Sequence, residues 1–144
     1  MDSNSISQIR RGCLLHDIGS LGIPESILLK PGELTPAERE FVHQHPRIAY
    51  DLLSPLPNWH QAIDIPYYHH ERWDGSGYPQ GLKGDTIPLS ARICGMADVF
   101  DALSNERPYR AAWEKSKILQ CISDGAGILF GPDLVRVFFT IIKD

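Results

Sequence analysis

The sequence predicts an all-α fold, a bundle of short helices joined by turns and one long loop. Apolar side chains recur at helical spacing along residues 6–18, and no segment shows the strict alternation of a half-buried strand. Thr35 and Glu38 have the residue types and spacing of a capping box, which marks the start of a helix. We therefore expect helices to form the whole core.

The first half of the chain is predicted to contain four short helical segments. Gly19 and Pro24 end the first, and Pro46 kinks or restarts the chain between the last two. The second segment is too short for its pattern to distinguish an extended from a helical piece. The segments are residues 6–18, 27–29, 35–45 and 47–53.

The second half is predicted to contain four further helices and one loop. Glycine and proline are too frequent in residues 74–84 for any regular element, so this stretch is expected to be a loop. Ser90 and Ser116 are candidate N-caps for the second and third helices, and Pro132 opens the last. The helices are residues 59–70, 90–103, 117–124 and 133–142.

The bulk composition narrows the classes of function. A chain of 144 residues with 42% apolar side chains suits a single domain with one core. The net charge of −4 argues against binding of a nucleic-acid polymer, which needs a basic face. No apolar run is long enough to span a membrane, and the N-terminus lacks the regions of a signal peptide. Cys13, Cys94 and Cys121 are odd in number and indicate free thiols, so we expect a cytoplasmic protein.

Side chains suited to metal binding occur in four separated places along the chain. A mixed nitrogen and oxygen set of this kind suits iron, manganese, nickel, cobalt or zinc. Two such ions about 3.5–4 Å apart would activate a bridging hydroxide and clamp a phosphate, which is phosphoester hydrolysis. His43 and His60 have polar neighbours and are interpreted as surface residues. The candidate donors are His16, Asp17, His45, His69, His70 and Asp98.

Each candidate donor also has a structural interpretation that the residues leave open. A histidine doublet or a His-Asp pair can simply end a helix. His45 precedes a proline and fits a turn. Asp98 lies among apolar neighbours and needs compensation, which a metal, Arg92 or Arg107 would supply.

Four motifs resemble the signature of HD-GYP domains. They occur in the family's order and cover nearly the whole chain. The resemblance implies one all-helical HD-superfamily domain over residues 1–144 that hydrolyses the bacterial second messenger cyclic di-GMP. The products would be the linear dinucleotide, GMP or both. The motifs are LHDIGSLGIP at 15–24, YHHERWDGSGYP at 68–79 with GLKG at 81–84, ADVFDAL at 97–103, and RPYR at 107–110.

The resemblance also assigns roles to the candidate donors. It implies two divalent transition-metal ions, iron or manganese, held by all six donors. Asp17 would bridge the ions and so take part directly in catalysis. Of the others, the resemblance puts His45, His69 and His70 on one ion, and His16 and Asp98 on the second.

Residues in two of these motifs gain further roles from the same resemblance. Arg107 and Arg110 match a basic pair that meets the ligand's phosphates; the alternative is a pair of surface salt bridges. Gly77, Tyr78 and Pro79 would shape the loop beside the site and offer a docking surface for diguanylate cyclase domains. The alternative for these three residues is a tight structural turn.

The chain departs from the family pattern in two respects. Ser20 stands where the family usually has a lysine placed to contact phosphate, so we expect a weaker reaction unless Lys30 or Arg72 compensates. Family domains also begin with a further helix or two that contribute a histidine and often a glutamate to the metals. We therefore expect an N-terminally truncated domain with one metal position incompletely ligated, and an exposed apolar face that favours a homodimer.

Three functions follow as hypotheses. The complete six-donor set favours a working cyclic di-GMP phosphodiesterase. Ser20 and the missing N-terminal ligands favour a degenerate module that binds metal, cyclic di-GMP or a cyclase without turnover. A different HD-superfamily phosphohydrolase is disfavoured by the Gly77-Tyr78-Pro79 loop.

Overall fold

The computed structural model describes residues 3–59, 62–106 and 111–142. Within those ranges the chain forms eight α-helices and no β-strand, which confirms the all-α prediction. Two short 3₁₀ helices, Ile18–Gly22 and Gly84–Thr86, lie between them. The α-helices are α1 (Ser3–Leu14), α2 (Glu25–Leu28), α3 (Pro36–Val42), α4 (His45–Leu53), α5 (Asp64–Tyr68), α6 (Leu89–Ser104), α7 (Lys115–Asp124) and α8 (Pro132–Ile141).

The first helix is shorter at its C-terminal end than the predicted segment 6–18. The amide of Leu15 donates to the carbonyl of Gly12 at 3.2 Å, so the last turn tightens to a three-residue spacing and the α-helix stops. His16 and Asp17 consequently lie in a turn beyond α1, and the expectation that both stand on a helix is wrong. The turn frees both side chains from the divergence that a helix would impose.

The predicted capping box is confirmed. The backbone amide of Thr35 donates to Glu38 Oε2 at 2.7 Å, and the amide of Glu38 donates to Thr35 Oγ1 at 3.3 Å. The helix it begins ends at Val42, before the predicted end at His45. His45 is instead the first residue of α4, with Pro46 in its first turn, where a missing amide hydrogen costs nothing.

The predicted helix 59–70 is much shorter in the structure. Residues 60 and 61 lie outside the described residues, and α5 contains only Asp64–Tyr68. Pro66 explains the late start, because proline is tolerated in the first turn, where amides have no intrahelical partner, and disfavoured further in.

Both predicted serine caps are wrong. α6 is preceded by Pro88 and α7 by Glu114, each with non-helical backbone, so Ser90 and Ser116 fall inside the first turns. Local residue preference did not decide these starts, because neither true N-cap makes a side-chain cap hydrogen bond. The prediction that Pro132 opens the last helix is confirmed.

The core has two parts. The helices α6, α7 and α8 and the turn before α8 enclose a buried apolar cluster of Met96, Leu103, Ile118, Ile122, Phe130 and Val135. In the other part, α5 packs against α1, α4 and α6, and its Ile65 is fully buried. Burial of such aliphatic side chains contributes about 1.5–3 kcal/mol each. α5 therefore fixes the relative positions of the three segments around it.

Two glycines allow backbones to approach each other beside the candidate donors. A Cβ at Gly19 would lie 1.8 Å from the carbonyl oxygen of His45, and one at Gly95 would lie 2.5 Å from that of His69. Neither position has room for a side chain. The turn after α1 is thereby held against the start of α4, and the end of α5 against α6.

The substitution Gly19→Ala is expected to destabilise the fold. The added methyl group overlaps backbone atoms of His45, and such overpacking costs about 1–3 kcal/mol or more. Urea denaturation of both proteins measures the difference in free energy of unfolding. The neighbouring change Ser20→Ala is the control and should stay within about 0.5 kcal/mol of the native chain. Equal stability of the Gly19 variant would contradict the packing described here.

Candidate metal centre

Three segments of the chain meet in the fold and bring four of the predicted donors together. One ligand atom from each of Asp17, His45, His69 and His70 lies within 4.8 Å of all the others. Asp17 comes from the turn after α1, His45 from the first residue of α4, and the two adjacent histidines from the end of α5. Since each residue sits at a helix end, its position depends on how those helices pack.

The carboxylate of Asp17 is the centre of this cluster. Its Oδ1 lies 3.3 Å from His45 Nε2 and 3.5 Å from His69 Nε2. Its Oδ2 lies 3.4 Å from His16 Nε2. The two oxygens thus face two different sets of imidazoles. The side chain of Asp17 is 58% exposed, so the cluster opens to solvent on this side.

Asp98 stands at the edge of the cluster. It projects from α6, and its Oδ1 lies 3.8 Å from His16 Nε2. The sequence left open a pairing of Asp98 with an arginine. Arg92 is excluded from that role because it forms its ion pair with Asp85 at 3.0 Å. His16 and Asp98 accordingly form a second pair of donors on the Oδ2 side of Asp17.

Backbone carbonyls orient three of the histidine rings. His16 Nδ1 lies 2.7 Å from the carbonyl of Cys13, His45 Nδ1 lies 2.7 Å from that of Val42, and His69 Nδ1 lies 3.0 Å from that of Ile65. If Nδ1 donates the proton in each contact, the Nε2 lone pair faces the cluster. This is the usual arrangement of a metal-binding imidazole.

Two ring nitrogens in the cluster are buried without a hydrogen-bond partner. They are Nε2 of His45 and Nε2 of His69, and within the described residues no donor or acceptor satisfies them. Leaving a buried polar atom unpaired costs about 1–3 kcal/mol. A cation between these nitrogens and Asp17 would remove that cost, so the residues present fit a divalent metal.

The electrostatics of the cluster favour the metal-binding forms of Asp17, His45 and His70. The nearby imidazoles of His16 and His69 hold the pKa of Asp17 well below its usual range, so the carboxylate is ionised. Burial lowers the pKa of His45, and burial together with His69 lowers that of His70 to about 3. Both rings are neutral at pH 7. Contact with Asp17 raises the pKa of His16 to about 9.

The loop with the Gly-Tyr-Pro motif packs directly on the cluster. The Tyr78 ring stacks on His70 with centroids 4.8 Å apart and an interplanar angle of 26°. The Tyr78 ring also stacks on the ring of His43, an exposed residue, with centroids 3.9 Å apart and an interplanar angle of 17°. Tyr78 thereby connects a candidate ligand with His43. The interpretation of His43 as a plain surface residue missed this contact, and no local pattern signalled it.

A buried carboxylate anchors the same loop. Glu71 is 8% exposed and accepts hydrogen bonds from the amides of Gln80 at 2.7 Å and Leu82 at 3.0 Å. The peptide bond between Tyr78 and Pro79 is cis. Sequence reasoning gave Glu71 no role, although its position directly after the two histidines was a usable signal.

The residues proposed for phosphate contact are only partly placed. Arg107 and Arg110 lie outside the described residues. Ser20 lies in the turn that begins at Asp17, and its backbone amide donates to the carbonyl of Asp17 at 2.9 Å. Lys30 does not take the place of the absent lysine, because its Nζ pairs with Glu38 at 2.6 Å. Arg72 is exposed and lies near His43. The pKa of His43 is lowered mainly by burial, next by the charge of Arg39, and to a smaller extent by that of Arg72.

Among the described helices, none has both the length and the apolar character needed to cross a membrane.

Known proteins resemble this chain in sequence along most of its length. The HD-domain family profile matches residues 1–134. The cyclic di-GMP phosphodiesterase response regulator RpfG of Xanthomonas campestris pv. campestris is 46% identical over 137 residues, which are 94% of this chain and 36% of that protein. A cyclic di-GMP phosphodiesterase of Thermotoga maritima is 43% identical over 141 residues, 96% of this chain and 38% of that protein.

A solved structure shares the fold. The crystal structure of a cyclic GMP-AMP-specific phosphodiesterase of Vibrio cholerae matches with a TM-score of 0.71 at 23% identity, over 100% of this chain and 40% of that one. The chain spans somewhat more than a third of the length of the two curated relatives. With the family match over most of its residues and the motifs in their expected order, the chain belongs to the HD-domain family, in its HD-GYP group.

Proposed function

We propose that this chain is the catalytic domain of a metal-dependent phosphodiesterase that hydrolyses cyclic di-GMP to the linear dinucleotide, GMP or both. The observation that carries the proposal is the position of Asp17, with imidazoles of His45 and His69 at one oxygen and that of His16 at the other. A carboxylate shared in this way suits a bridge between two cations. The names of the two curated relatives support the substrate.

Two divalent ions, iron or manganese, are the proposed cofactors. His45, His69 and His70 would hold one ion and His16 and Asp98 the other, as the grouping around Asp17 supports. Bound ions would supply a hydroxide nucleophile at neutral pH and neutralise charge on the phosphate.

The protein's own residues contribute orientation and access. The carbonyls that accept from Nδ1 of His16, His45 and His69 hold each ring in one tautomer. The exposed face of Asp17 leaves room for a phosphate to approach. Arg107 and Arg110 remain the proposed phosphate contacts, since two guanidinium groups would offset a diester's charge in a chain of net charge −4.

A degenerate binding module is the second candidate. Ser20 favours it, because Lys30, one of the two residues considered as a replacement for the family's lysine, is held by Glu38. Such a chain would bind metal and cyclic di-GMP without turnover.

A protein partner is proposed for the surface beside the site. Leu14 and Leu21 flank the His16-Asp17 turn and are each 82% exposed. An uncovered apolar surface of this kind supports a homodimer. Contact with a diguanylate cyclase domain is proposed for Gly77, Tyr78 and Pro79 of the neighbouring loop. The free thiols of the three cysteines support a cytoplasmic setting.

The metal assignment predicts the behaviour of Asp17→Asn. The native chain, prepared anaerobically with ferrous iron or manganese, should retain about one to two ions per chain. The variant keeps the shape of the side chain and loses its charge, so metal affinity should fall about 100-fold or more. Elemental analysis and competition with a chelator measure this. Asp51→Asn, which changes an exposed carboxylate on α4, is the control. Full metal content in the Asp17 variant would refute the assignment.

The role of position 20 predicts the effect of Ser20→Lys on turnover. A lysine there should raise the rate of cyclic di-GMP hydrolysis by the metal-loaded chain about 10²–10⁴-fold, through electrostatic or acid assistance. Ser20→Met controls for side-chain length. The rates should be compared with cyclic GMP-AMP as a second substrate. Saturable binding without product in the native chain would select the degenerate module. A lysine variant no faster than the methionine variant would contradict this account of position 20.

The stack on Tyr78 predicts that His43 is a positioning residue for His70. His43→Ala removes one face of the stack and should weaken metal binding about 2–10-fold, the range expected for one aromatic pair. His43→Phe retains a ring and should restore the affinity. Chelator competition gives the affinities and thermal unfolding checks the fold. Equal affinity in the alanine variant would show that the stack does not influence the site.

A further inference from the structure

A second pocket lies between α4 and α5 and shares no residue with the metal cluster. It has a volume of about 410 Å³, within the ~300–1,000 Å³ typical of small-molecule sites. Four aromatic rings and one carboxylate dominate its lining. We call it the aromatic pocket and define it by Tyr50, Trp59, Asp64, Tyr67 and Tyr68.

The rings of the aromatic pocket form a continuous group. Tyr67 contacts Tyr50 with centroids 4.9 Å apart and Tyr68 with centroids 4.7 Å apart. The faces of aromatic rings carry partial negative charge and attract cations within about 6 Å. The protein already uses this attraction at the rim, where the Arg11 guanidinium lies 4.6 Å from the centroid of Trp59.

Among the described residues, the carboxylate of Asp64 has no cationic partner. It is half-buried, and burial raises its pKa. In the described part of the chain, no hydrogen bond or ion pair reaches it. Neither neighbouring arginine supplies one. Arg47 pairs with Asp51 at 3.2 Å and lies over the Tyr50 ring, 6.0 Å from its centroid, and Arg11 Nη1 donates to the carbonyl of Asn58 at 3.4 Å. A half-buried carboxylate without a partner is costly, and a cationic ligand would remove the cost.

The lining indicates the class of cation. A metal ion needs several oxygen or nitrogen donors, and one carboxylate surrounded by rings is a poor set for it. An alkylammonium group needs a negative charge and aromatic faces around its carbon atoms, and the aromatic pocket offers both. We propose that the aromatic pocket binds a small alkylammonium ion, with Asp64 as its counter-ion and the rings of Trp59, Tyr50 and Tyr68 around it.

The test compares a charged probe with an uncharged one of the same shape. The full chain is titrated with choline and with neohexanol, its neutral isostere. Binding is followed by calorimetry and by amide chemical shifts in residues 63–65, 67 and 68. Choline is expected to bind saturably and at least about tenfold more tightly than neohexanol. Equal affinity would identify an apolar pocket and overturn the proposal, as would the absence of saturable binding.

Two variants connect the binding to the pocket. Asp64→Asn keeps the size of the side chain and should weaken choline binding about tenfold, whereas Asp133→Asn, an exposed carboxylate on α8, should leave it within about twofold. Trp59→Leu should weaken choline binding about threefold or more. This second variant tests the pocket if the Asp64 variant does not fold. Unchanged affinity in both pocket variants would overturn the proposal.

The source of the ammonium group is settled by a further pair of probes. Choline represents a free small molecule, and a capped tripeptide containing trimethyllysine presents the same headgroup on a protein side chain. Tighter binding of choline would assign the pocket to a free ligand, and tighter binding of the peptide would assign it to a partner's side chain. Either result supports the ammonium class, and binding of neither contradicts it.

Discussion

The ionised carboxylate of Asp17, held among imidazoles, is the interaction on which the candidate site depends. Its oxygens face His45 and His69 on one side and His16 on the other. The rings are oriented by backbone carbonyls, and two of their nitrogens are buried without a partner. Such an arrangement is unfavourable by itself, because it concentrates unsatisfied polar atoms, and becomes favourable with cations between them. The free-energy cost of these unpaired nitrogens therefore supports a metal centre at this position.

The surrounding fold supplies the rigidity that this arrangement requires. α5 lies in contact with α1, α4 and α6, so it holds together the helices from which the donors project. Gly19 and Gly95 permit backbone contacts that a side chain would prevent. The carboxylate of Glu71 holds the loop that carries the Gly-Tyr-Pro motif by accepting hydrogen bonds from two of its backbone amides. The loop in turn places the Tyr78 ring on the His70 ring. Ligand geometry is thus set by packing several residues away from the donors.

Features that depend on a few neighbouring residues were predictable. The capping box of Thr35 and Glu38, the restart at Pro46 and the helix start at Pro132 all follow from local backbone chemistry. The serine caps failed because a nearby residue with non-helical backbone, Pro88 or Glu114, took the N-cap position instead. Segment lengths failed where tertiary contacts ended a helix early, as at the turn after Leu14, which leads to the contact of Gly19 with α4.

The sequence by itself determined the all-helical class, the donor types, their order and the family they belong to, because these depend on residue identity and spacing. Only the tertiary structure decided which oxygen of Asp17 faces which histidine, that Lys30 is held by Glu38, and that His43 stacks on Tyr78. It also decided that Asp64 lies beside the rings of Tyr50, Trp59 and Tyr67. The physical reason is the same in each case: these contacts join helices, turns and loops that are separate along the chain, and local sequence does not encode the distances between packed segments.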